Sequence, residues 1–124
     1  MKTLLLYLGL GAIASHELDA VRQHEWRLLY ILRGLPEALA EQVFIAVHVP
    51  LFAVLIWLLH HPRNTLRAAS RVLLMAFLVI HVGLHLRLSG HALYTFHAPL
   101  SVALIWLAGL AGLGYLALCL PRRR

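Results

Sequence analysis

His81 and His85 stand four residues apart in the apolar run VLLMAFLVIHVGLHL. Residues i and i+4 are neighbours on one helix face, so one helix could offer both imidazoles to one metal ion. His16 and Asp19, three apart, are neighbours in the same sense. Glu17 and His24 are seven apart, which leaves them about 20° from eclipsed at roughly 100° per residue. His48 lies in a third apolar run, two residues before Pro50, where a proline frees a backbone carbonyl and can kink a helix. Ionisable groups inside so much apolar sequence need partners, and a metal would satisfy several of them at once, with carboxylates as ligands or as acceptors for imidazole N–H groups. Imidazole with carboxylate suits zinc or iron, and the lack of nearby cysteine argues against a closed thiolate site. The candidate ligands are His16, Glu17, Asp19, His48, His81, His85 and His97. No residue is assigned a catalytic role.

Each candidate also has a plainer reading. His81 and His85 would otherwise make interhelical hydrogen bonds or face interfacial water. His16, Glu17 and Asp19 would form a solvated helix end, with an acid paired to Arg22 or Arg27. His97 would be a satisfied interfacial histidine. HELDA begins like the zincin signature H-E-x-x-H, but Ala20 stands where that motif needs its second histidine. The sequence has no Gly-rich phosphate loop, G-x-S-x-G elbow, C-x-x-C or C-x-x-C-H haem-attachment motif. Its one cysteine, Cys119, sits in an apolar run and has no second cysteine with which to form an internal disulfide.

The elements that must position these residues follow from composition. Of 124 residues, 61% are hydrophobic and 13% charged, against about 45–50% and about 25% in soluble domains. A soluble domain of this size could not hide that much apolar surface, so the bilayer is its natural solvent and first partner. The net charge of +6 does not indicate nucleic acid, because the basic residues are scattered through apolar sequence. A membrane-crossing helix takes about 20 apolar residues. Four spans fit, over about 4–21, 43–59, 72–88 and 98–120. The expected fold is therefore all-α, an integral membrane bundle of four transmembrane helices forming one domain over 1–124. Between the first two spans, HEWRLLYILRGLPEALAEQ reads as a continuing amphipathic helix, a break at Gly34–Pro36 and a capped restart. MKTLLLYLGLGAIAS also resembles a signal peptide with a site at Ala12-Ile13-Ala14, but a 14-residue leader falls at or below the usual range. If it were cleaved, three spans would remain with the same orientation.

Four spans put both termini on one side, together with Lys2, Arg63, Arg67, Arg71, Arg122, Arg123 and Arg124. The other side holds Arg22, Arg27, Arg33 and Arg87. The positive-inside rule then puts both termini in the cytoplasm of a multi-pass plasma (inner) membrane protein. All five acids (Glu17, Asp19, Glu25, Glu37 and Glu41) and seven of the nine histidines fall towards the non-cytoplasmic side. His60 and His61 lie at the cytoplasmic end and read as a solvated cap. Arg22 to Arg27, with His24 and Glu25, read as a wet interfacial continuation of the first span. Trp26, Tyr30 and Tyr94 read as interfacial anchors. Gly109, Gly112 and Gly114 suggest close packing of the fourth span. The arginines of the second-to-third loop and of the C-terminal RRR read as topology and anionic-lipid signals.

HELDAVRQHEWR, then HVPLF, HVGLH and APLS across four short spans, resemble a family of small bacterial membrane proteins of unknown function. The resemblance covers most of the chain, and its most specific part is the HELDA to HEWR segment. It implies a four-helix membrane fold and no particular activity.

Three functional readings follow. In the first, a zinc or iron site lies under the outer leaflet, and a metal-dependent membrane enzyme acts on a lipid-soluble molecule that enters laterally. In the second, the chain is structural or an accessory subunit of a membrane complex or homo-oligomer, with the histidines in a hydrogen-bond network or pH-responsive cluster. The third is b-type haem held by His48 opposite His81 or His85, against which the neighbouring carboxylates argue.

Overall fold

The computed structural model describes residues 1–120. Four long helices account for most of them: α1 (Lys2–Arg22), α2 (Glu37–Leu59), α3 (Asn64–Leu88) and α4 (Pro99–Cys119). All four are long and apolar enough to cross a membrane. Pro121 and the three terminal arginines lie outside the described residues.

Two helices begin earlier than apolar sequence alone suggests. α2 starts at Glu37, directly after extended Pro36, with an acid in its first turn where the helix dipole favours one. It then runs unbroken through Pro50. α3 starts at Asn64, so its first two turns include Arg67 and Arg71. Arg67 bonds Asn64 and the His61 carbonyl, and Arg71 donates to the Leu59 carbonyl at 3.1 Å. These basic side chains tie the α2–α3 turn together. α4 opens on Pro99, whose missing N–H costs nothing at a helix start. His60 is exposed, as its place in the turn suggests, and also lies within hydrogen-bond distance of the Tyr7 hydroxyl, 3.2 Å away.

α1 and α3 run in the same direction, and α4 packs antiparallel against both. Gly9 of α1 approaches Met75 and Leu78 of α3, while Gly112 and Gly109 of α4 meet α3 at Met75 and Val82 in reverse order. A Cβ on Gly112 would lie 2.5 Å from the Met75 carbonyl oxygen, and one on Gly109 would run into Val82. Glycine is what lets the two backbones approach so closely. Gly114 faces only the tip of Leu5, 3.4 Å from its would-be Cβ, so close backbone packing does not extend to it. α2 lies at the edge of this trio. Ala40, Phe44 and Leu59 are its buried residues, while Val47, Val49, Val54 and Trp57 are exposed on its other faces. Such a surface suits lipid.

The segment after α1 is not a continuing helix. The helix stops at Arg22, and His24 takes the left-handed conformation (φ 55°, ψ 44°). The chain reverses there into a short 3-10 turn over Glu25–Arg27. Thr95 donates to the Gln23 carbonyl at 2.8 Å, and Gln23 Nε2 reaches Ser101 at 3.4 Å. The end of α1 is thus pinned to the start of α4. Trp26 and Tyr94, expected as interfacial anchors, are buried instead. The reversal carries Trp26 inward, where its Nε1–H donates to Glu37 at 3.0 Å and its ring packs against Phe44. Tyr30 does stay outside, with the Arg33 guanidinium over its ring.

Candidate metal centre

His16 lies on the α1 face turned towards α3, between Ile13 and Ala20, which belong to two separate apolar clusters. It has no exposed surface. The i, i+4 spacing of His81 and His85 presents both rings to the same place. The His16 ring centre is 4.8 Å from that of His81 and 4.9 Å from that of His85, and the latter two are 4.5 Å apart. Phe96, from the α3–α4 loop, closes the group from one side, 4.8 Å from His85.

The fourth member is Glu25. Continued as helix, it would lie more than two turns beyond His16. The left-handed turn at His24 folds it back, and its Oε2 comes to 3.7 Å from His16 Nε2. One ligand atom from each of His16, Glu25, His81 and His85 fits in a group no more than 4.8 Å across. Tetrahedral zinc with bonds of about 2.0–2.1 Å needs its ligand atoms about 3.3 Å apart, so the group would draw together around an ion.

The decisive feature is what these atoms lack. Five buried side-chain nitrogens or oxygens among the described residues have no hydrogen-bond partner: His16 Nδ1 and Nε2, His81 Nδ1, Glu25 Oε2 and Asp19 Oδ2. Four of the five belong to the cluster. Each such atom costs about 1–3 kcal/mol when left unmatched in an apolar interior. A cation at the centre would remove most of that cost. Around it, His85 Nδ1 lies 3.1 Å from the Tyr94 hydroxyl. In the tautomer that frees Nε2 for a metal, Nδ1–H donates to that oxygen, the outer-shell bond that orients a metal-binding imidazole. Burial, then Glu17 and Asp19, push the Glu25 carboxyl up to about 8. Burial and Glu25 also raise the Tyr94 hydroxyl, which stays neutral.

The other expected ligands go elsewhere. Glu17 points to the opposite flank of α1, where its Oε2 lies 2.9 Å from His48 Nε2. His48 in turn directs Nδ1 at the Phe44 carbonyl, 2.6 Å away. Asp19 is buried on the α4 side and accepts weakly from Gln23 Nε2 at 3.5 Å. His97 packs edge-on against Tyr94 and is exposed. His16, His81 and His85 are therefore brought together, whereas Glu17, Asp19, His48 and His97 lie outside the group. Glu25, expected in the wet interface, joins it. The one hint in the sequence was a carboxylate just beyond the helix that carries His16.

Residues 2–122 match a family of unknown function, DUF6713. The chain belongs to that family. Neither a curated protein nor a solved structure matches it. The matched stretch takes in all four helices and every member of the His/Glu group.

Proposed function

We propose that this is an intramembrane metal-binding protein that holds one zinc or ferrous ion on His16, Glu25, His81 and His85. The observation that carries the proposal is a fully buried imidazole, His16, with neither nitrogen bonded, facing three further donors. Three imidazoles and a carboxylate complete a zinc tetrahedron, and the same four leave ferrous iron positions for an exogenous ligand. Imidazole also suits copper and nickel, but the carboxylate and the absence of a sulfur donor favour zinc or iron. Haem has less support. Its axial imidazoles must lie on opposite faces of a macrocycle, and the three clustered rings crowd one another edge to face with no slot between them. The bond from His48 to Glu17 also occupies the nitrogen that haem would need.

The positive-inside distribution supports a plasma-membrane protein with both termini cytoplasmic and the metal near the non-cytoplasmic leaflet. Elemental analysis of detergent-purified protein, with an absorption spectrum, tests the reading. The expected result is about one zinc or iron per chain without a Soret band, lost in the His81→Ala/His85→Ala variant. Metal-free wild-type protein that also fails to take up either metal would overturn it.

A further inference from the structure

α2 touches α1 lightly, and the gap on its α3 side is a groove of about 340 Å³, inside the usual small-molecule range of roughly 300–1,000 Å³. Ile13, Phe52, Leu55, Leu73 and Phe77 line it, and Glu17 is its one charged residue. A second gap of about 280 Å³, on the other flank of α2, shares Glu17 and Phe52 as its wall. Glu17 therefore stands where two apolar clefts meet.

The pair that holds Glu17 defines what it can take. The Phe44 carbonyl can only accept, so His48 Nδ1 carries a proton, and one more proton is shared between His48 Nε2 and Glu17 Oε2. This fixes the carboxyl group in place and leaves its second oxygen without a partner among the described residues. The Glu17 side chain keeps 21% of its surface exposed and lines the groove. A carboxylate oxygen in apolar surroundings recognises a donor. That oxygen can only accept, so it disfavours phosphate or carboxylate heads, which offer acceptors. From Leu51 to Leu58 the groove follows α2 for seven residues, about 10 Å at 1.5 Å per residue. That is the scale of a medium-chain alkyl tail. At its polar end the groove borders the His/Glu group: Phe77 lies 5.6 Å from the His81 ring, and Glu17 follows His16 in the chain.

We infer that the groove between α1, α2 and α3 binds an uncharged, lipid-soluble alcohol or phenol, its apolar body along α2 and its hydroxyl donated to Glu17. The ligand reaches the groove sideways from the bilayer. The inference rests on the metal reading only in taking this ligand as the substrate of the neighbouring centre; the recognition itself uses no metal.

Photolabelling of the full chain in lipid nanodiscs, with a dodecan-1-ol analogue bearing a mid-chain diazirine, tests it. Labelling is expected to saturate and to fall on Leu55, Leu73 and Phe77. Dodecan-1-ol should compete better than dodecanoate or dodecane by about tenfold, the size of one hydrogen bond to a charged group. Glu17→Leu should abolish that preference, and Leu55→Trp, which fills the groove, should abolish the labelling. Unsaturable labelling spread over Val49, Val54 and the other lipid-facing residues would overturn the inference, because the groove would then hold ordinary lipid tails. Equal competition by dodecane in the wild-type protein would overturn it as well. Metal content measured on the same samples judges the metal reading separately. Saturable, hydroxyl-selective labelling of metal-free His81→Ala/His85→Ala protein would support the groove whatever that measurement gives.

Discussion

His16 is an expensive residue in a metal-free protein. It fills a fully buried position with a ring whose two nitrogens bond to nothing. His16→Leu should therefore stabilise the chelated protein by about 1–3 kcal/mol, because an apolar side chain of similar size removes the unmatched atoms. The same variant should lose all stabilisation by added zinc, and melting curves with and without chelator check both halves. If the chelated variant melts lower than wild type, His16 has an internal partner. Glu25 gives a pH signature. Its carboxyl is pushed up to about 8 in the folded chain, against about 4.3 when unfolded. A raised pKa in the folded state means stability present at low pH and lost as pH rises between those values. Chelated wild type should thus lose stability from pH 5 to 8.5 relative to chelated Glu25→Gln. With metal bound, which takes the carboxylate form, that loss should disappear. At this scale the sequence is half legible. Spacing reveals the His81–His85 pair, and span length brings His16 to their depth. Nothing in the spacing reveals Glu25, because its place depends on one left-handed residue, His24. The bond from Glu17 to His48 likewise depends on which flank of α1 faces α2, a matter of helix rotation that four apolar segments do not specify.

The helices place the donors through backbone contact. Gly112 sets the distance between α3 and α4 against the Met75 carbonyl, two turns from His81 and on the helix that supplies two of the four donors. Gly112→Ala should cost about 1–3 kcal/mol, as overpacking does, and should weaken metal binding by moving His81 and His85. Gly11 has nothing within 4 Å of a would-be Cβ, so Gly11→Ala serves as a control that leaves metal binding unchanged and stabilises the helix by up to about 1 kcal/mol. Denaturant unfolding in detergent, paired with a zinc titration, separates these outcomes. Four apolar helices were legible from composition, and tight packing at Gly109 and Gly112 from their clustering. The restart of α2 after the Gly34–Pro36 break was legible as well, but the start of α3 was not. α3 begins in charged turns that a hydropathy reading discards, and local bonds from Arg67 and Arg71 hold the turn before it. The buried Trp26 escaped for a related reason: tryptophan near a span end reads as an anchor until a partner such as Glu37 gives its N–H a reason to turn inward.

For the whole molecule, the polar residues divide between two ends. Arg63, Arg67 and Arg71 lie at the end where α1 begins, and the His/Glu group lies towards the other. If charge sets the orientation, Ile31→Cys in the exposed α1–α2 connection should react with an impermeant maleimide added to intact cells. Thr65→Cys should react only after permeabilisation, both in a Cys119→Ser background. The reverse pattern would put the metal group beneath the cytoplasmic leaflet. The central claim, that three imidazoles and Glu25 enclose one ion, is tested most directly by X-ray absorption at the metal edge of protein loaded with one equivalent of zinc. The expected spectrum has a first shell of nitrogen and oxygen at about 2.0–2.1 Å, outer-shell scattering from three imidazoles, and one imidazole fewer in His81→Ala. A sulfur shell, or a spectrum with one imidazole or none, would contradict it.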